Sequence, residues 1–444
     1  MKRLVAFVFA CVMLATLALT ASAADEPVTL NFWTYARWNG VKGSEPNGKV
    51  GDWQRDAAKR FMEMHPNVKI NVEVLNFTGG PEKVAIAIES KQAPDVLEDA
   101  NQRLYEYAHR GLLVPLDAYL DSTYVADYEK AIWEQASIGD GKHYYLPWGI
   151  SPQVLMVNRS LFEKAGAENL LPKNRERTWT QEQYINAIKA VTAKLRNVYG
   201  VGLFGDTSSG DSFALNWLWA SGARTFDEKL TKVTLNSEKG LKGLQFIKRL
   251  VDEGLAQPGA AGFRAADTFT LFNQQRVLTV PAATINYART VQSQNDGQID
   301  KFKIDLVMIP NAEGEQPATF MHTYGFAVFN NGDPTKQKWA IEFAKFLGSP
   351  ENAAAVRAAS SFSPRKSAAN MYVDFDDPNM RWVTTILKYA VDGGLAVPGF
   401  NAQRNNFATH YQAMLNGKKT PAQVLKDFEA EANKIIAEAR ANLK

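Results

Sequence analysis

HYYLPWGISPQVLMVNRSLFEKAG, residues 143–166, is the stretch that decides how this chain is divided. Tyr144–Leu146 and Val154–Val157 are apolar runs of strand length, and Asn158-Arg159-Ser160-Leu161-Phe162 starts a helix. Between the runs lies Pro147-Trp148-Gly149-Ile150-Ser151-Pro152. Proline lacks a ladder donor and glycine weakens a strand, so pairing breaks here. The passage reads as a strand that leaves one sheet and enters another, a hinge with Trp148 at the floor of a cleft. A bent strand within one domain, with Trp148 in its core, is the alternative.

Working outward, 444 residues exceed what one core holds, so two or more domains are expected. Hydrophobic content of 45% and charged content of 22% are those of a soluble globular protein. The formal charge of +3 includes Lys2 and Arg3 of a removable segment. The near-neutral remainder argues against a general nucleic-acid binder. Residues 1–23 read as a secretory signal: a basic start, the apolar Leu4–Leu19, and Ala21-Ser22-Ala23 as the cleavage site. The sole cysteine, Cys11, falls inside it, mid-run, where it is badly placed for lipid attachment. A free periplasmic protein without thiols or disulfides is expected.

Val28–Trp33 and Val68–Val74 alternate apolar with polar residues as strands do. A helix capped by Asp52 lies between them, and a helix from Pro81, a buried strand at Ala93–Leu97 and a helix to Gly111 follow. Strand–helix alternation predicts parallel pairing with helices on both faces, and a ligand crevice at the strand C-termini. Those ends are Trp33–Tyr35, Asn76–Gly79 and Glu98–Arg103. Beyond the hinge, helices are expected at Trp179–Leu195 with Thr178 as cap, Phe213–Ser221 and Ser237–Glu253. Phe302–Ile309 and Thr323–Phe329 read as strands returning to the first lobe. Thr420-Pro421-Ala422-Gln423 is a capping box opening the last helix. The division is 1–23 signal, 24–149 first lobe, 150–301 second lobe, 302–347 return to the first lobe, and 348–444 second lobe with C-terminal helices.

Six stretches, in order, carry a resemblance: NFWTY, AAKRFMEMHPNVKINVEV, APDVLEDANQRLYEYAHRGLLVPLDAYL, the hinge, TWTQEQYINAIKAVT and LNGKKTPAQVLKDFEAEANKII. Together they resemble extracellular solute-binding protein family 1, the maltose-binding-protein-like sugar-binding proteins of ABC importers. The resemblance implies an α/β, two-lobed periplasmic binding protein fold closing by a hinge on a small ligand, usually a sugar. It implies a permease in the membrane as partner, no cofactor and no catalysis; a monomer is expected. It places Asp99, Gln102 and Arg103 among cleft residues. VPAATINY lacks the family's Gly-Pro-Trp near the second crossing, and Tyr287 is the candidate replacement platform.

A sugar site needs aromatic plates and bidentate polar groups. Trp33, Tyr35 and Trp38 end the first strand, Trp148 lies at the hinge, and Trp217 and Trp219 share a second-lobe helix. His322 and Tyr324 belong to a returning strand, and Phe362 sits in SSFSPRKSA. Two tryptophans two residues apart cannot face one way on a helix, so one of that pair is structural. Arg103, four residues after Asp99, orients it or binds ligand, which keeps a phosphorylated polyol such as glycerol phosphate as a second ligand class. Glu98 and Asp99 also raise a secreted glycosidase, although adjacent strand carboxylates point apart. The five histidines show no ligand spacing, and Asp374-Phe-Asp376-Asp377 precedes Pro378 without a turn glycine, so no metal site is expected.

Overall fold

The computed structural model describes residues 26–36, 49–76, 79–206, 210–283, 302–352, 362–368, 378–383 and 385–443. Trp38, Tyr287, the signal segment and Asp374–Asp377 lie outside them.

The first sheet is built from β1 (Val28–Tyr35), β2 (Val68–Leu75) and β3 (Val96–Ala100). In β1, Val28, Leu30 and Phe32 are buried while Thr29 and Asn31 are exposed, as the alternation requires. The connections are helices, α1 (Asp52–Met64) and α2 (Gly80–Glu89), so β1 pairs in parallel with both β2 and β3. α1 starts one residue earlier than its acidic signal suggests: Gly51, at φ 91, is the cap, and Asp52 is the first helical residue. α3 (Asn101–His109) follows β3 without a loop.

β4 (Tyr145–Pro152) and β5 (Val154–Asn158) are the two runs of the opening stretch. Pro147 and Gly149 do not end β4. The ladder to its partner shifts register once, between them, and Trp148 is the bulged residue. All of β4 and β5 is buried, and the chain changes sheets at Gln153 between them. The second sheet is formed by β6 (Tyr199–Val201), β7 (Val277–Ala283), β5 and β8 (Ile304–Val307), in the order β6-β7-β5-β8, and the chain between β5 and β7 also forms the helices α4 (Gln181–Thr192), α5 (Gly210–Ala220) and α6 (Glu238–Asp252). The cap of α4 is Thr180 rather than Thr178: the Thr180 hydroxyl accepts from the Gln183 N–H and the Gln183 side chain accepts from the Thr180 N–H, whereas the Thr178 N–H donates to the Asn174 side chain.

One strand goes where the pattern did not send it. Phe302–Ile309 was expected to return to the first lobe; its strand, β8, pairs antiparallel with β5 in the second sheet instead. β5 is buried throughout and therefore central; β7 covers one edge and β8 the other. The return is made by β9 (Thr319–Val328), antiparallel to both β3 and β4. Gly325 of β9 lies under the Tyr145 ring, where an added Cβ would stand 2.1 Å from Cδ2. α7 (Pro334–Leu347) then seals the outer face, Phe343 packing on Phe32 at 5.3 Å and on Phe61 at 5.1 Å. Burying such side chains contributes roughly 1.5–3 kcal/mol each.

β10 (Ala390–Val391) joins β9 at its N-terminal end, and α8 (Phe400–Leu415) and α9 (Pro421–Ala441) pack on α5 and α6. The capping box of α9 is present in full. Among the described residues no helix is long and apolar enough to cross a membrane.

Candidate functional site

The C-terminal ends of β1 and β3 meet the segment of β9 that runs toward the second sheet, and most of the expected first-lobe residues gather there. Strand alternation sorts them onto two faces.

On one face, Asp99 is fully buried and bound by Arg103, whose Nε donates to Oδ2 at 2.7 Å and whose Nη2 donates to Oδ1. The Ala100 N–H also donates to Oδ1, at 2.7 Å. Arg103 is 25% exposed and lies 5.2 Å over the buried Tyr35 ring. Burial opposes its charge, but the hydrogen bonds and charge of Asp99 prevail and hold the guanidinium above its usual range. Burial, with the Asp99 charge next, raises the Tyr107 hydroxyl on the same face. Gln102 is exposed at the rim, and half-buried Trp33 carries the Lys83 ammonium 5.0 Å over its ring.

On the other face, Glu98 is fully buried. It accepts from the Thr34 hydroxyl at 3.1 Å, the Tyr35 N–H at 3.1 Å and the Trp148 indole N–H at 3.3 Å. Trp148 is 3% exposed and stacked on half-buried Tyr324 at 5.6 Å. It therefore belongs to the first-lobe core. The indole hydrogen bond fixes the ring of the bulged residue, so Trp148 supports Tyr324 from beneath.

His322, two residues before Tyr324 on β9 and half-buried, begins a chain of hydrogen bonds into the second sheet. Gln153 Nε2 stands 3.1 Å from His322 Nε2; the amide donates, so the imidazole accepts there and carries its proton on Nδ1. Asn216 Nδ2 donates to Gln153 Oε1 at 2.5 Å, and the Phe320 N–H donates to Asn216 Oδ1 at 3.2 Å. Gln153 and Asn216 were not singled out from the sequence. The available signal was one amide between Pro152 and Val154 in an otherwise apolar stretch.

Trp217 and Trp219 are placed in the second-lobe interior, 0% and 2% exposed. The Trp219 indole donates to Thr225 at 2.9 Å and its ring packs on Phe320 at 5.6 Å. Trp217 packs on Tyr184 and Phe246. Phe362, 1% exposed, bridges backbone to Ile150 behind the crossing. Neither tryptophan nor Phe362 presents a free ring face in this conformation. Among the described residues no His, Asp and Glu cluster could hold a metal.

This arrangement of two α/β sheets, linked by paired crossings with polar and aromatic groups at the strand ends, defines a two-lobed binding protein. Its family is identified by sequence: the profile of the bacterial extracellular solute-binding proteins matches residues 47–354, and the chain belongs to that family. A binding protein of Brucella abortus is 24% identical over 398 residues, covering 88% of this chain and 92% of its own. The sn-glycerol-3-phosphate-binding periplasmic protein of Pectobacterium atrosepticum is 23% identical, covering 96% and 95%. The crystal structure of the cyclic alpha-maltosyl-1,6-maltose binding protein from Arthrobacter globiformis superposes with a TM-score of 0.77 at 17% identity, covering 93% of this chain and all of that one.

Proposed function

We propose that this protein binds a mono- or oligosaccharide in the periplasm and delivers it to the permease of an ABC importer. The observation that carries the reading is the rim at the first-lobe strand ends. There the Asp99 face carries half-buried Trp33 with Gln102 and Arg103, and the Glu98 face carries half-buried Tyr324 and His322, together the mixture of plates and polar forks that a sugar requires. Family membership and the sugar named for the Arthrobacter structure point the same way. Closure about the Gln153 crossing brings the second lobe onto the bound solute, and ligand contacts with both lobes favour that state. The lobe division is 24–149, 150–309, 319–347 and 348–444, with the return beginning at Thr319. Cleavage after residue 23, export as a free chain and a monomeric state complete the reading.

A phosphorylated polyol is the second reading, favoured by the Pectobacterium relative. Against it, Asp99 already engages Arg103 on both oxygens, leaving little net positive charge to greet a phosphate. A glycosidase is disfavoured because Glu98 and Asp99 are each bound within the fold on opposite faces of β3, so they do not flank one bond. A thermal-shift screen of sugars and glycerol phosphate tests the reading, since a ligand of the native state raises its melting temperature. A rise with glycerol phosphate alone, or with no sugar, overturns it. New reducing ends from a bound oligosaccharide would favour the enzyme.

A further inference from the structure

The loop Asp392–Val397, after β10, comes from the C-terminal part of the chain yet faces α3 of the first sheet. Val391 pairs with Phe320, and His109 at the end of α3 meets the Ala396 carbonyl through Nε2 at 2.5 Å. The charge of Asp392 reaches the hydroxyls of Tyr105 on α3 and Tyr145 on β4. Both hydroxyls donate to the Gln135 carbonyl, at 2.5 and 2.9 Å, so neither has a proton left for Asp392. Beside them, buried Asn101 donates to the Tyr105 oxygen at 3.3 Å while its Oδ1 has no partner among the described residues. The Gly394 N–H donates to Asp392 Oδ1 at 2.7 Å. No Lys or Arg of the described residues forms an ion pair with Asp392.

Asp392 is exposed to water, yet burial still raises its carboxyl above the usual range. The His109–Ala396 contact and the Val391–Phe320 pairing hold its loop against α3 and β9, so the exposed carboxylate stands between first-lobe elements and the C-terminal segment. This crevice is bounded by α3 and β4 of one lobe and by the C-terminal segment that leads to the helices of the other. With no ion-pair partner among the described residues, Asp392 leaves a net negative charge there.

We propose that Asp392 is the charge-selecting residue of the interlobe crevice: it accepts a hydrogen bond from a hydroxyl or protonated amine of the solute, and its charge turns phosphorylated solutes away. This rests on the carbohydrate reading above. The test is calorimetric titration of the full chain with maltose, maltotriose, chitobiose, diacetylchitobiose, glucosamine and glucose 6-phosphate. The expected result is binding of neutral or aminated sugars but not of the phosphate. Asp392→Asn should weaken the best of them about tenfold or more, the loss of a charged acceptor. It should also narrow the gap to glucose 6-phosphate, and Asp392→Glu should keep it wide. The amide retains an oxygen for the Gly394 N–H; if that variant fails to fold, Asp392→Ser carries the same comparison. Unchanged affinities and ranking in the variant overturn the proposal while leaving the carbohydrate reading intact. Tighter binding of glucose 6-phosphate than of any sugar by the unsubstituted chain overturns it too. If no sugar of the panel binds the unsubstituted chain, both fall.

Discussion

Glu98 and Asp99 are consecutive, fully buried and both carboxylic, yet they are held in opposite ways. Glu98 faces the α1–α7 side, where among the described residues it accepts from Thr34, Tyr35 and Trp148. Asp99 faces the α2–α3 side and is bound by a guanidinium that water can reach. The first arrangement ties three chain segments together in the interior. The second seals a carboxylate with a lid that a ligand can meet. A one-residue step along a strand therefore separates a structural carboxyl from one at the functional rim.

Replacing Glu98 should break this comparison most severely. Both of its oxygens accept from N–H groups, so in Glu98→Gln whichever end carries the amide NH2 opposes a donor. Glu98→Ala removes the acceptor of all three groups. Leaving buried donors unmatched costs roughly 1–3 kcal/mol each, so a loss of about 3 kcal/mol is expected for the alanine variant. Urea denaturation measures it, and a change within 0.5 kcal/mol (~0.5, the scatter of neutral surface substitutions) would show that Glu98 does not hold the segments together.

Arg103→Ala comes next. Read from the sequence, Arg103 is an exposed charge whose loss leaves melting nearly unchanged. The structure alters that expectation, because among the described residues Asp99 has the Ala100 N–H as its one other donor. Breaking a buried pair costs about 3–5 kcal/mol, and partial exposure of Arg103 reduces this to about 2. Asp99→Asn in the same chain should restore most of the loss, since the uncompensated charge is its source. Equal destabilisation in the single and double variants would refute the lid.

The tyrosines of the Asp99 face offer a pH test. Burial raises Tyr105, Tyr107 and Tyr145 above the ordinary phenol value. The folded protein keeps these protons while the unfolded chain releases them near pH 10. Their contribution is complete below that pH and is lost as pH rises toward the folded values. Each such group should cost about 1.4 kcal/mol of stability per pH unit above 10. Tyr107→Phe should thus lose about 1 kcal/mol less than the unsubstituted chain between pH 10 and 11. Phenolate absorbance appearing well before unfolding would contradict the burial.

How much of this was legible in the sequence depended on whether the signal was local. The alternation in β1 and β2, the change of sheet between residues 144 and 158, and the Thr420–Gln423 box are all local, and all three are found in place. The partner of β8 was not legible, because alternation marks a strand without naming its neighbour. Trp148 read as the cleft floor; its burial depends on Glu98, fifty residues away, accepting its indole proton. Asp392, before Gly393-Gly394, reads as a turn residue. Only the packing of its loop against α3 gives it two tyrosines to face.

The smallest effect is the sharpest test of the comparison, because it separates binding from folding. Gln102 stands at the first turn of α3, exposed, between buried Asn101 and the Arg103 lid. Its amide makes no hydrogen bond among the described residues, so Gln102→Ala should move stability by less than about 0.5 kcal/mol. A hydrogen bond to a sugar hydroxyl in a closed site is worth about 1 kcal/mol, so affinity should fall roughly fivefold. The two readouts, thermal melting and calorimetric titration with whichever sugar binds best, must therefore separate for Gln102 while they move together for Arg103. If Gln102→Ala binds like the unsubstituted chain, the rim does not extend outward past Arg103. The contacts would then be sought inward, toward Tyr324 and Asp392.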